Sequence, residues 1–181
     1  MRIPHQLFAE MTRPDIESVP PFYKGYVEFV KDMDLLDALR QAAKVVQQTV
    51  PYVPEDKGEY RYAEGKWTIK EMLNHMMDAE RVFAYRALRF SRNDQTPLPP
   101  FEENDYAPVA NAHGRTVIEI AREMKKLRES TIDLFASFTP EMLEREGTAS
   151  GKRISVKNLG YIIAGHDLHH LKILRERYLN S

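Results

Sequence analysis

The sequence predicts an all-α fold, a four-helix bundle with a long connection between its second and third helices. Two observations carry this. Four long segments repeat apolar residues at steps of three and four, the period of a core-facing helix, and segments rich in Pro, Gly or Asn separate them. No segment reads as part of a sheet. The chain has 181 residues, enough for one domain with a sizeable core. Residues 1–21 read as an N-terminal extension and residues 22–181 as the bundle domain.

The first helix is predicted from about Phe22 to Val50. Its stripe is Phe22, Tyr26, Phe29, Met33, Leu36, Ala43 and Val46, with Leu39 filling the one long gap. Pro51 and Pro54 end it. The second runs from Thr68 to about Ser91. Thr68 is an N-cap candidate, and Glu71 three residues on completes a capping-box pattern. A Pro-rich connection follows, "NDQTPLPPFEENDYAPVANAH", whose length suggests a functional or site-covering loop. The third helix runs from about Arg115 to Phe138, with Val117, Ile120, Met124, Leu127, Thr131, Leu134 and Phe138 on one stripe. Pro140 punctuates it, and "GTASGKRI" reads as a turn or short hairpin. The fourth runs from about Ser155, its N-cap, to Leu179. Four such helices define a bundle.

Composition narrows the function. Lys plus Arg is 26 and Asp plus Glu is 27, a net charge of −1. No basic excess argues for nucleic acid. There is no cysteine, which excludes disulfides, thiolate metal sites and a cysteine nucleophile, and fits the cytoplasm. No apolar run is long enough for a membrane span, and the N-terminus lacks a signal-like apolar region.

The histidines are the informative feature. The chain has six, and three lie in "GHDLHH", at 166, 169 and 170. The stripe Val156, Leu159, Ile163, His166, His170, Ile173 advances by 3, 4, 3, 4, 3. His166 and His170 therefore occupy successive inward positions of an apolar seam, and His169 falls to one side. Buried imidazoles cost free energy unless paired. A divalent metal satisfies two at once, and the i, i+4 spacing is that of the H-E-x-x-H zinc helix. The best third ligand is His75, on the inward stripe Met72, His75, Ala79, Val82 of the second helix. His5 and His113 lie in irregular segments. The alternative reading is a hydrogen-bonded core without metal. Glu71 and Asp78 flank His75 and could accept from its ring N–H, or could belong to a solvated helix face.

The segments "KWTIKEMLNHMMDAERVF" and "GHDLHH" resemble the DinB/YfiT-like superfamily of metalloenzymes. The matching pattern is Trp67 opening the second helix, His75 two turns on, and H-x-x-H-H in the last helix. The resemblance implies a four-helix bundle in which His75, His166 and His170 hold nickel, zinc or iron. It implies a metal-dependent hydrolase or a transferase using a small thiol, and homodimers are common among such proteins. Three neutral ligands leave a coordination position open, as in catalytic rather than structural zinc. A non-catalytic metal-binding stress protein is the alternative. Glu71 is the candidate general base. Tyr85, Arg86 and Tyr106 are candidates for contacts to a small-molecule substrate, with Arg115 beside them. Arg86 continues an inward stripe, where it could bind a carboxylate, snorkel or pair with a local acid. Trp67 reads as a hydrophobic anchor.

Overall fold

A computed structural model describes residues 13–180. The predicted extension lies partly outside them, as does His5. Of its described part, Val19 is buried in the core, while Arg13, Asp15, Glu17 and Ser18 are exposed.

The predicted first helix is two helices, α1 (Pro21–Val27) and α2 (Leu35–Thr49). The buried positions explain the break. Around the break they are Val27, Val30 and Leu35, while the predicted Phe22 is 72% and Phe29 39% exposed; further on, the predicted Leu39, Ala43 and Val46 are buried. A step of five from Val30 to Leu35 turns about 140° around a helix, too far to share one face. The chain instead bends, and Asp34, with extended backbone, restarts it as the N-cap of α2.

The remaining long helices are α3 (Ile69–Ser91), α4 (Val117–Ala136) and α5 (Val156–Ile173). Residues Leu174–Leu179 continue α5 as π-helical turns. The Thr68 capping box is present: Thr68 Oγ1 accepts from the Glu71 N–H at 3.1 Å, and Glu71 Oε2 accepts from the Thr68 N–H at 2.7 Å. Thr116 and Glu119 form a second such box at the start of α4. Ser155 caps α5 through the Asn158 N–H. Because the Thr68 pair is buried, Thr68→Ala is expected to cost about 1–2 kcal/mol. Urea unfolding would show this as a lower midpoint with an unchanged slope.

Between α4 and α5 lies a hairpin, β1 (Glu146–Ala149) and β2 (Lys152–Ser155), which is antiparallel. Ser150 and Gly151 both have positive φ, 51° and 72°, the pair of a two-residue type I′ turn. This is the "GTASGKRI" segment predicted as a turn or short hairpin, and the hairpin forms a two-stranded sheet.

α5 packs against α2 and α3, and α4 packs against the same two helices. α4 and α5 therefore sit at diagonal corners. The apolar core forms two clusters. One holds Leu35–Ala42 of α2, Ala79–Phe90 of α3, Phe135 of α4 and Val156–Ala164 of α5. The other holds Val46 of α2, Ile69–Met77 of α3, Val117–Met124 of α4 and Leu171 of α5. α2 and α5 thus run from the first cluster to the second, while α3 and α4 run from the second to the first. The chain must return the full bundle length between α3 and α4, roughly 30 Å for 20 residues of helix. That crossover is the long Pro-rich connection.

The crossover is anchored, not loose. Leu98 pairs with Ala149 of the hairpin, its N–H donating to the Thr148 carbonyl at 2.9 Å. The buried Arg86 donates to the Pro99 carbonyl at 2.9 Å and to Ser150 Oγ at 3.1 Å. No helix among the described residues is long and apolar enough to cross a membrane.

On α4 most of the predicted stripe is buried (Val117, Ile120, Met124, Thr131 and Phe138), with Leu127 and Leu134 half-buried against the core. The buried face also takes in Arg128 and Phe135, each one residue beyond a predicted leucine. Arg128 Nε and Nη2 donate to Glu80 Oε1 and Oε2 at 2.8 and 3.0 Å, and Nη2 also donates to Asp167 Oδ2 at 2.8 Å. Nη1 reaches the Leu39 carbonyl at 3.4 Å. One guanidinium thus ties all four long helices.

Candidate metal centre

His75 comes from the inward face of α3, and His166 and His170 from successive turns of α5. The structure brings these three together. His166 Nε2 lies 3.1 Å from Nε2 of His75 and 3.1 Å from Nε2 of His170. Ligand-type atoms of all three fall within 4.8 Å of one another. His166 is buried, His170 nearly so, and His75 half-buried. His169 stays outside this convergence. It is half-buried and packs on Tyr26, ring centroids 5.0 Å apart.

The electrostatics keep these rings neutral. Burial pushes His75 down to about 4. Burial, then His75 and His169, push His170 down to about 3. Burial first, and the neighbouring His170 and His75 next, hold His166 well below the ordinary range. Neutral imidazole is the form that binds metal.

The donor set fits an ion. Two nitrogens bound to one metal at about 2.0–2.1 Å, at an angle near 100°, lie roughly 3.1 Å apart. Hydrogen bonding serves the trio less well. A neutral ring nitrogen has a single in-plane lone pair, so His166 Nε2 cannot accept from both neighbours with good geometry. His170 Nδ1 is buried and has no partner among the described residues.

Trp67 does more than anchor a helix start. Its ring packs on His75 at 4.6 Å. It also lines a cleft of about 230 Å³ that opens against His170, walled by Tyr62, Tyr178, Met72 and Ile173. Tyr178 fixes Trp67 by donating from its hydroxyl to the Trp67 carbonyl at 2.8 Å.

The other sequence candidates lie elsewhere. The Glu71 carboxylate is engaged by the Thr68 N–H, by Arg61 at 3.1 Å and by His113 at 3.3 Å. Asp78 accepts from Asn74 at 2.9 Å and pairs with Arg81. Tyr85 is exposed and meets Arg89. Arg86 holds the crossover by backbone and hydroxyl contacts, rather than by pairing with an acid or snorkelling. Tyr106 is exposed beside Phe101. Arg115 pairs with Glu123. None of these lines the cleft beside His170. The cleft walls from Tyr62 to Trp67 lie in irregular chain, where no periodicity marks an inward face.

A crossed four-helix bundle with a converging histidine trio defines the class, and the comparisons agree. Residues 38–174 match the DinB superfamily, and the chain belongs to that family. It is 24% identical over 153 residues to "Putative metal-dependent hydrolase OB0782" of Oceanobacillus iheyensis, covering 82% of this chain and 87% of that protein. It is 23% identical over 137 residues to a protein of the same description from Geobacillus thermodenitrificans, covering 74% of this chain and 76% of that one. Among solved structures it resembles YfiT from Bacillus subtilis, described as "a probable metal-dependent hydrolase with an unusual four-helix bundle topology". The TM-score is 0.69 at 15% identity, over 81% of this chain and 85% of that one, a likeness of fold.

Proposed function

We propose that His75, His166 and His170 hold one divalent transition metal, and that the chain is a metal-dependent hydrolase of a small molecule. The observation that carries this is the convergence of three neutral Nε2 atoms from two helices inside the core. The names of the relatives support it. A metal held by three neutral imidazoles would keep its double positive charge and an open position, supplying Lewis-acid polarisation and an activated water.

The chain's own residues would do the rest. α3 and α5 hold the three rings by packing, so little rearrangement accompanies metal entry. Trp67 covers one face of His75 and limits water there. The cleft at His170 gives a small molecule access to the trio. With Glu71 already bound on both oxygens, general-base catalysis would fall to another group.

The test is elemental analysis of tag-free protein beside a His166→Ala, His170→Ala variant. About one transition metal per chain, lost in the variant, is the expected result. Chelation should also lower the melting temperature, since an ion at 100 times its Kd adds about 2.7 kcal/mol. No metal in the native protein after incubation with zinc, nickel or iron(II) would overturn the proposal. Loaded protein would then be screened against small esters and amides, with small-thiol transfer run in parallel.

A further inference from the structure

We infer that the cleft beside His170 selects a small organic carboxylate with a flat apolar body, its acid group held by Lys66. This rests on the reading of the histidine trio as the reaction centre, and it names the substrate class of that site.

The walls set the body. Trp67, Tyr62 and Tyr178 supply three aromatic surfaces, and Met72 and Ile173 add apolar contact. Tyr62 and Tyr178 meet edge to face at 4.9 Å, which fixes both rings. A volume of about 230 Å³ is below the range usual for drug-sized ligands, so the occupant is small.

The charge sets the head group. Lys66 is the one charged residue lining the cleft, and no Asp or Glu lines it. Among the described residues the Lys66 ammonium has no hydrogen-bond or ion-pair partner, and the residue is exposed. Its backbone is held in place: Arg61 Nη1 donates to the Lys66 carbonyl at 2.8 Å. Arg177 adds positive potential nearby, 5.4 Å from the Tyr62 ring. Asn104, from the crossover, also lines the cleft, and its amide nitrogen donates to Glu102 at 3.0 Å. An anion is therefore attracted at Lys66, while an ammonium would meet cations and no lining acid.

Trp67 is the only tryptophan of the chain, so its fluorescence reports on this cleft alone. The experiment titrates 3-phenylpropionate, 3-phenylpropionamide and 3-phenylpropylamine into native protein, metal-loaded and chelated, and into Lys66→Gln. The three probes share one body and differ in the head group. The expected result is saturable quenching by the acid, about tenfold weaker binding of the amide, and none by the amine. Lys66→Gln should weaken the acid about tenfold and leave the amide unchanged. Equal binding of acid and amide, indifference to Lys66→Gln, or no saturation by any probe in either form of the protein would overturn the inference. Acid selectivity in a protein that takes up no metal would keep the cleft assignment and remove the metal one. Metal uptake without acid selectivity would do the reverse.

Discussion

Arg128→Met is expected to destabilise the fold by about 3–5 kcal/mol, the cost of leaving buried carboxylates without their counter-charge. Glu80 and Asp167 are both buried, and Arg128 is the cation that holds them. Burial pushes the Asp167 carboxyl up, Arg128 draws it down and Glu80 pushes it up again. Two acids on one guanidinium already strain that balance, so its removal leaves nothing to offset the desolvation. Thermal unfolding should show a fall of about 10 °C in a chain of this size. Adding Glu80→Gln and Asp167→Asn should recover part of the loss, because neutral amides in those places need less compensation. A melting temperature within about 2 °C of native for Arg128→Met would contradict the account.

Gly165→Ala should be the next most damaging change. At Gly165, α5 passes so close to α1 that an added Cβ would lie under 3.0 Å from the Tyr26 carbonyl oxygen. Backbone cannot swing aside as a side chain can. The helices must separate, at a cost of about 3 kcal/mol, the upper part of the usual overpacking range. Alanine's better helix propensity offsets up to about 1 kcal/mol of that. Tyr26 packs edge-on against His166 at 5.3 Å, so the displacement reaches the histidine trio. Hydrogen exchange should quicken through residues 21–27. Gly25→Ala is the control, since nothing lies within 4 Å of its Cβ position, and it should be neutral or stabilising. Matching effects at the two glycines would refute the steric argument.

The parts legible in the sequence were those that depend on helical spacing alone. Inward placement of His75, His166 and His170 follows from steps of three and four, and the caps at Thr68 and Ser155 follow from residue type. Four things were not legible. The break between α1 and α2 depends on α1 packing onto α5, a long-range contact. Arg128 reads as a surface arginine until Glu80 and Asp167, from two other helices, are seen around it. The long connection suggested a functional or site-covering loop; it does place Asn104 in the cleft lining, but its length follows from helix direction. Periodicity carries no information about direction. Tyr62 and Lys66 belong to irregular chain whose course depends on its neighbours.

Every long helix changes from one apolar cluster to the other at one level of the bundle, and the polar groups sit there: the histidine trio and the Arg128 triad. This waist acts as a keying device. Helices with apolar seams from end to end could slide by one turn, 5.4 Å, and bury nearly the same area. Here such a slip would place an imidazole or a carboxylate against hydrocarbon on both sides at once. Alternative alignments are therefore penalised by charge where oil alone would tolerate them. The same buried polar groups thus tell the helices where to stop.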